Sequence, residues 1–157
     1  MWETGRCRES ILQGYLFELW CLTCALQGSL QDCLQWWWSN SGTGAEIKQC
    51  ANYADEHYGN RLGKYCGDSL RHLVFMCMAN IYYDDDCARE LGKANENMEN
   101  NTCEESARDL HNNEEGLNLN GTSCDDCIEK AINVAKDSYQ NDRNIMFSNE
   151  GCGHGCN

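Results

Sequence analysis

Thirteen cysteines are spread along the whole of this 157-residue chain, and they constrain its fold more than any other feature. Most neighbouring cysteines lie nine to twenty-five residues apart, a spacing that suits bonds between distant segments better than a compact metal cage. We therefore predict a secreted, extracellular protein with about six structural disulfides, in which the odd cysteine is unpaired or forms a disulfide-linked dimer. The cysteines are Cys7, Cys21, Cys24, Cys33, Cys50, Cys66, Cys77, Cys87, Cys103, Cys124, Cys127, Cys152 and Cys156.

The chain has no proline, so its helices can extend until glycine or asparagine ends them. Apolar residues recur at helical spacing nearly throughout, and no segment alternates with a period of two. The sequence predicts an all-α fold of about seven short-to-medium helices, cross-linked by disulfides, in one domain over residues 1–157. Any subdivision is expected near residues 99–102 or 112–122.

Helix boundaries follow from capping and turn residues. Two helices are predicted over 11–24 and 29–38, followed by a loop over 39–44. A third helix is predicted from Ile47 to Cys66, ended by Gly67, and a fourth begins at Asp68 or Ser69.

Three further helices are predicted in the second half of the chain. The acidic run 84–86 caps the fifth helix, and Thr102 with Glu105 forms a capping box for a short sixth helix. Ser123 caps the seventh. Residues 112–122 are rich in asparagine and glycine and are predicted to form an exposed loop. The spacing of Cys21, Cys24 and Cys50 is nearly repeated later in the chain, which raises the alternative of a pseudo-repeat.

The net charge of −13 is unevenly placed, since residues 81–157 carry −11 of it. A surface this negative repels phosphate backbones and anionic lipids, so neither nucleic acid nor a membrane is expected as a partner. The apolar stretch 11–27 is short for a membrane span and carries Glu18 near its centre, which favours an amphipathic helix.

Two pairs of cysteines, Cys21 with Cys24 and Cys124 with Cys127, have the spacing of a zinc site or a redox dithiol. The tail motif Cys152-Gly-His154-Gly-Cys156 offers a further metal site, and many thiolates together suggest Cu(I) binding. We favour structural disulfides over these alternatives, because both pairs lie on helical stripes and Asp125 and Asp126 oppose a thiolate.

The four histidines lie far apart in sequence, and we expect His57 and His72 on the surface or on a helix face. No nucleophile, phosphate-loop or metalloprotease motif occurs. The sequence therefore predicts no metal, no cofactor and no enzymatic activity.

Three consecutive tryptophans, Trp36, Trp37 and Trp38, span about 200° of a helix. They cannot all face one core, so at least one is a candidate contact for a protein partner. Asn100 and Asn120 each begin an N-glycosylation sequon, which is relevant only in a secreted protein.

Two cysteine-bounded units carry tyrosines, the first from Cys50 to Cys66 and the second from Cys77 to Cys87. In this stretch, residues 50–87, the chain resembles the bicycle proteins, which are salivary effectors that gall-forming aphids deliver into plants. The resemblance implies a secreted effector that binds a host protein without catalysis, with cysteine staples and core-packing tyrosines. Those tyrosines would be Tyr53, Tyr58, Tyr82 and Tyr83.

The function predicted from sequence is that of a secreted, disulfide-stapled interaction protein, an effector that binds a host target. The alternative is an extracellular carrier that holds a small apolar ligand in a cavity lined by aromatic and methionine side chains.

Overall fold

A computed structural model describes residues 42–59, 61, 66–98 and 103–141. Within these residues every regular element is helical and no strand occurs, which confirms the all-α class. The predicted helices over 11–24 and 29–38, together with Trp36–Trp38, lie outside the described residues. The elements are helix α1 Gly42–Ala54, a π-helical turn Asp55–Gly59, and helices α2 Cys66–Tyr82, α3 Asp85–Met98, α4 Cys103–Leu117 and α5 Cys124–Asn141.

Helix α2 is the centre of this arrangement and contacts α1, α3, α4, α5 and the π-helical turn. An ordinary surface helix buries one stripe, whereas a helix in the middle of a bundle is apolar on all sides. The residues from Leu73 to Ala79 are all buried. This run of apolar side chains supplies seven of the eighteen buried residues of the core on which the other helices pack.

The apolar stripes predicted on α1 and α5 are confirmed, since they form the surfaces that face α2. On α1 the buried residues include Ile47, Cys50 and Ala54. On α5 Cys127 and Ala131 are fully buried. Helical periodicity therefore identified these two contact faces correctly.

Two boundaries differ from the sequence prediction around α1 and α2. Helix α1 already begins at Gly42, inside the predicted loop, and Gly67 lies within the first turn of α2 instead of ending the preceding helix. A side chain at Gly67 would collide with the Asp55 carboxylate of the π-helical turn. Glycine is needed there because the two segments approach closely.

The predicted caps of α3 and α5 are confirmed by hydrogen bonds. The backbone N–H of Cys87 donates to Asp84 Oδ1 at 2.9 Å, and the N–H of Asp126 donates to Ser123 Oγ at 3.2 Å. Each bond satisfies a backbone donor that has no partner within its own helix. These caps fix where both helices begin.

Two disulfides join α5 to the rest of the bundle. Cys50 on α1 bonds to Cys124, and Cys77 on α2 bonds to Cys127. The pair of cysteines on α5 therefore bridges to two different helices, as expected of structural staples and not of a redox dithiol. Cys87 is also disulfide-bonded. These bonds support the staple interpretation, while the predicted total of six stays a prediction.

The loop predicted over residues 112–122 is wrong for its first half, because α4 continues to Leu117. Asn112 and Asn113 lie on this helix and are buried, whereas the apolar Leu110 is 38% exposed. The middle of the buried face of α4 is thus polar, since its asparagines find hydrogen-bond partners on other helices, while Leu117 at the end of the helix joins the apolar core. Tertiary contacts here outweigh the weak helix propensity of asparagine.

Gly116 marks the closest approach of α4 to α2. A Cβ atom at this position would lie 2.6 Å from the Leu73 carbonyl oxygen and 2.8 Å from Met76 Cβ. We expect Gly116→Ala to lower the free energy of unfolding by about 1–3 kcal/mol, the usual cost of overpacking a core, as measured by urea denaturation. Gly42→Ala is the matched control, because nothing lies within 4 Å of a Cβ there. Equal stability of the two variants would contradict this packing.

A buried histidine cluster as candidate functional site

His72 lies at the centre of a polar cluster inside the bundle, with only 2% of its surface exposed. Its neighbours come from three helices: Asp68 one turn earlier on α2, Glu96 on α3, and Asp109 and Asn113 on α4. Glu96, Asp109 and Asn113 are themselves buried. Charged groups are rarely removed from water unless they are paired, so this cluster is the most unusual chemical feature of the described residues.

The Nδ1 side of the His72 ring faces two acceptors. Asn113 Oδ1 lies 3.1 Å from Nδ1, and Glu96 Oε1 lies 3.2 Å from it. Asn113 also donates its Nδ2–H to Glu96 Oε1 at 3.1 Å, which holds the carboxylate in place. These acceptors keep a proton on Nδ1 and fix the orientation of the ring.

The Nε2 side of the ring points toward two carboxylates. Asp68 Oδ1 is 3.5 Å from Nε2, and Asp109 Oδ1 is 3.8 Å from it. The ligand atoms of Asp68, His72 and Asp109 all lie within 4.8 Å of one another. Asp109 is buried, whereas the Asp68 side chain is 43% exposed, so the cluster reaches solvent at Asp68.

Two arginines border the cluster and contact the same carboxylates. Arg71 Nη2 donates to Asp68 Oδ1 at 2.7 Å, and Arg108 Nε donates to Asp109 Oδ1 at 3.1 Å. Three carboxylates, counting Glu96, are therefore balanced by two guanidinium groups and a protonated His72. This balance explains how so many ionisable groups can lie together in a core.

The protonation of His72 follows from its surroundings. Burial lowers its pKa, but hydrogen bonds to Asp68 and Glu96 outweigh burial and raise the pKa to about 10. Burial raises the pKa of Asp68, yet His72 and Arg71 together bring that pKa well below its usual value. The pKa of Glu96 is likewise lowered by His72 against the effect of burial. For Asp109, burial dominates and raises the pKa.

One oxygen in the cluster lacks a hydrogen bond. Glu96 Oε2 is buried and has no hydrogen-bond partner within the described part of the chain. Nearly all buried polar atoms in proteins are satisfied, so such an atom calls for an explanation. Together with the convergence of Asp68, His72 and Asp109, it makes this cluster the candidate functional site.

Sequence reasoning missed this cluster. His72 was expected on the surface or on a helix face; it lies on a face of α2, and the surface alternative is wrong because partners from α3 and α4 bury it. The spacing of the polar residues nevertheless indicated a polar face on each helix. Asp68 and His72 are four residues apart, and Asp109 precedes Asn112 by three residues and Asn113 by four. Residues at these separations share one face of a helix, so a polar face could have been recognised on both helices.

The residues predicted to be functional lie elsewhere in the fold. Among the cysteines, Cys50, Cys77, Cys87, Cys124 and Cys127 have described side chains and are all disulfide-bonded. Cys66 and Cys103 begin α2 and α4. The other predicted sites, Cys7, Cys21, Cys24, Cys33, Cys152, Cys156, Trp36, Trp37, Trp38 and Asn100, lie outside the described residues.

Asn120 lies in the turn between α4 and α5 and is exposed. Its φ angle of 50° places it in the left-handed region, which asparagine tolerates better than most residues. Thr122, the hydroxyl residue of the same sequon, donates to Asp126 Oδ2 at 3.1 Å. The sequon is therefore displayed in an ordered turn at the surface.

The motif tyrosines divide into two groups. Tyr58 and Tyr83 are partly buried against the core. Tyr53 is 44% exposed and Tyr82 is 37% exposed, so a core-packing role is wrong for these two.

Among the described helices, none combines the length and the apolar character that a membrane crossing requires.

The fold and the site together define a disulfide-linked helical domain built around a buried histidine–carboxylate cluster. The chain belongs to the family described as "Domain of unknown function (DUF6973)", whose model matches residues 39–143. The match contains all five described α-helices and the whole cluster. No curated protein and no solved structure matches the chain.

The raised pKa of His72 has a consequence for stability. The ordinary pKa of histidine is about 6.5. The contribution of protonated His72 to the free energy of unfolding is therefore complete below about pH 6.5. It is lost as the pH rises toward about 10. We expect the free energy of unfolding, measured by urea denaturation with a chelator present, to fall between about pH 7 and about pH 9, by up to about 1 kcal/mol per pH unit. His72→Gln should flatten this slope, and His57→Gln, which removes an exposed imidazole, should keep it. An equally steep slope in His72→Gln would show that the pH dependence does not come from His72.

Proposed function

We propose that this domain binds a divalent transition-metal ion through Asp68 Oδ1, His72 Nε2 and Asp109 Oδ1. The observation that supports the proposal is the orientation of His72, whose Nε2 faces two carboxylate oxygens at 3.5 and 3.8 Å while Nδ1 is held from behind by Glu96. Histidine ligands in metal sites commonly donate their second N–H to a carboxylate in this way. This proposal departs from the sequence-based expectation of no metal.

The separations of the donor atoms suit such an ion. Ligand atoms at about 2.1 Å from a tetrahedral zinc ion lie about 3.4 Å apart. The two distances from His72 Nε2 exceed this value by only a few tenths of an ångström. The ligand atoms of all three residues lie within 4.8 Å of one another. Inward movement of Asp68 and Asp109, together with release of the Nε2 proton that His72 carries without metal, would therefore complete three protein ligands.

One arginine must move before a cation can bind, because Arg71 Nη2 lies 3.3 Å from His72 Nε2 and 2.7 Å from Asp68 Oδ1. The Arg71 side chain is partly exposed, so its guanidinium can turn toward solvent. A carboxylate has about four lone-pair directions, so it can bind an ion and still accept a hydrogen bond. Arg108 would then hold Asp109 ionised and oriented, as outer partners often do. The exposed Asp68 provides the entry path and leaves a coordination position for water, the arrangement typical of metal sites that react with solvent.

The test is binding of Mn²⁺ and Zn²⁺ to chelator-treated protein, measured by equilibrium dialysis and metal analysis. Mn²⁺ is the more informative ion because it prefers oxygen and nitrogen ligands to thiolates. We expect one Mn²⁺ per chain in the wild type, and at least a tenfold weaker affinity in Asp68→Asn and in Asp109→Asn, the order of loss expected when a metal ligand or its partner is removed.

Two control variants distinguish this site from other candidates. Asp86→Asn removes an exposed carboxylate on α3 and should leave Mn²⁺ binding unchanged. His154→Gln removes the tail imidazole and should also have no effect on Mn²⁺. Asp68→Asn alters a half-exposed side chain, so its fold is expected to survive and is checked by circular dichroism. Full Mn²⁺ binding by folded Asp68→Asn, or no binding by the wild type, would overturn the proposal.

We also propose, on the basis of the disulfides between α5 and both α1 and α2, that the protein works outside the cell as an interaction protein. Disulfides persist mainly in oxidising compartments, and this setting agrees with the effector role implied by the bicycle-protein resemblance. A host protein as the binding target, and N-glycosylation at Asn100 and Asn120, belong to this proposal.

The number of disulfides tests the extracellular assignment. We expect alkylation of the unreduced monomer to modify one cysteine, and alkylation after reduction to modify all thirteen, as measured by intact mass. A dimer that dissociates on reduction would show that the odd cysteine forms the predicted disulfide between two chains. More than three alkylated cysteines in the unreduced protein would contradict the six-disulfide prediction.

A further inference from the structure

A groove on the far side of the bundle from His72 carries a second, independent set of residues. It lies between the end of α1, the π-helical turn and α5, and it encloses about 410 Å³. Its walls include Tyr53, Tyr58, Asp125, Ile128, Glu129 and Ile132, and we call these residues the tyrosine groove. A volume of this size lies in the range of ligand-binding clefts.

One wall of the groove is a single stripe of α5. Asp125, Ile128, Glu129 and Ile132 follow one another at intervals of three, one and three residues, which places them on one face of a helix. Ile128 is buried at the base of this stripe, whereas Asp125 and Glu129 are exposed. The wall therefore combines an apolar floor with two carboxylates that reach solvent.

The opposite wall is aromatic. The Tyr53 ring stacks on His57 with centroids 3.9 Å apart, and it meets the Tyr58 ring edge-on with centroids 6.3 Å apart. Tyr53 is nevertheless 44% exposed, so much of this aromatic surface is presented to solvent. The Cys50–Cys124 disulfide joins the two walls at one end, since Cys50 lies one turn before Tyr53 and Cys124 directly precedes Asp125.

Aromatic faces beside carboxylates attract cations. A guanidinium group over a tyrosine ring gains a cation–π interaction, and an adjacent carboxylate can accept its N–H donors. The Arg61 guanidinium of this chain already lies over the Tyr58 ring at 5.8 Å, so Tyr53 is the ring at which an incoming guanidinium would dock. Lys136 also borders the groove, and Lys136 and Arg61 together balance the charges of Asp125 and Glu129. Attraction of a basic partner therefore comes from the charge of the whole chain, which is −13.

We propose that the tyrosine groove is a docking site for an arginine side chain in a basic segment of a partner protein. Charge complementarity identifies this occupant, because the chain carries a net charge of −13, which draws basic partners toward it. The groove adds the exposed ring of Tyr53 and the exposed carboxylates of Asp125 and Glu129 as contacts for a guanidinium. The inference does not depend on the metal site, because no residue is shared between the two.

The test uses a fluorescently labelled, end-blocked octapeptide of alternating arginine and glycine, with binding measured by fluorescence anisotropy. A peptide with citrulline in place of arginine has the same shape without the charge. We expect the arginine peptide to bind and the citrulline peptide to bind at least tenfold more weakly. Tyr53→Leu should weaken binding of the arginine peptide about threefold to tenfold, which corresponds to the usual worth of one cation–π contact.

Matched variants separate the groove from general surface charge. Tyr82→Leu removes another exposed tyrosine and should leave binding unchanged. The pair Asp125→Asn with Glu129→Gln should weaken binding more than the pair Asp86→Asn with Glu90→Gln, which removes the same charge from the exposed face of α3. Equal losses in the two pairs would show attraction to diffuse charge and would overturn the proposal.

Two other results would also overturn it. Unchanged binding of the arginine peptide by Tyr53→Leu would show that the peptide makes no contact with the Tyr53 ring. If the protein took up the neutral dye Nile red and failed to bind the arginine peptide, the groove would be identified as a site for a small apolar ligand. Failure of Mn²⁺ binding, in contrast, has no bearing on this test.

Discussion

The burial of His72 is the constraint on which the arrangement of the bundle depends. A protonated imidazole with 2% exposure is stable only if carboxylates surround it, because an unpaired charge in a core is severely destabilising. Those carboxylates come from α2, α3 and α4. The three helices must therefore adopt one relative placement, and apolar packing alone would not specify it so narrowly.

The remaining contacts of the core are adjusted to this placement. Gly116 lets α4 approach the backbone of α2 closely enough for Asn113 to reach His72. Asn112, one residue earlier, donates to Ser69 Oγ on α2 at 3.3 Å. The interface between α2 and α4 is thus polar where it contains the cluster and tightly packed beside it. A metal ion at the cluster would add a further bond between the same two helices.

How far the sequence predicts this fold depends on which helix is considered. Periodicity of apolar residues identified the buried faces of α1 and α5, and capping residues placed the starts of α3 and α5, because these signals are local. The signal failed for α4, where the middle of the buried face is built from Asp109, Asn112 and Asn113 while Leu110 is exposed. A reversed pattern of this kind is explained only by partners on other helices, and those partners are distant in sequence.

The candidate site was missed for the same reason. A histidine between arginine and leucine gives no local indication of burial, and Glu96 lies twenty-four residues from His72 along the chain. Only the cysteines showed in advance that distant segments would be joined, and even there the spacing did not indicate which pairs would form. Topology, not composition, brings the ionisable groups together.

The connectivity of the two disulfides has a consequence for the integrity of the molecule. Each bond joins a cysteine at or before Cys77 to a cysteine at or after Cys124. A single peptide-bond cleavage anywhere between these two residues would therefore leave both fragments tethered by two covalent links. A protease could cut between α2 and α3 or between α4 and α5 without releasing either fragment, so the helices of the cluster would remain at high local concentration and could reassemble in place.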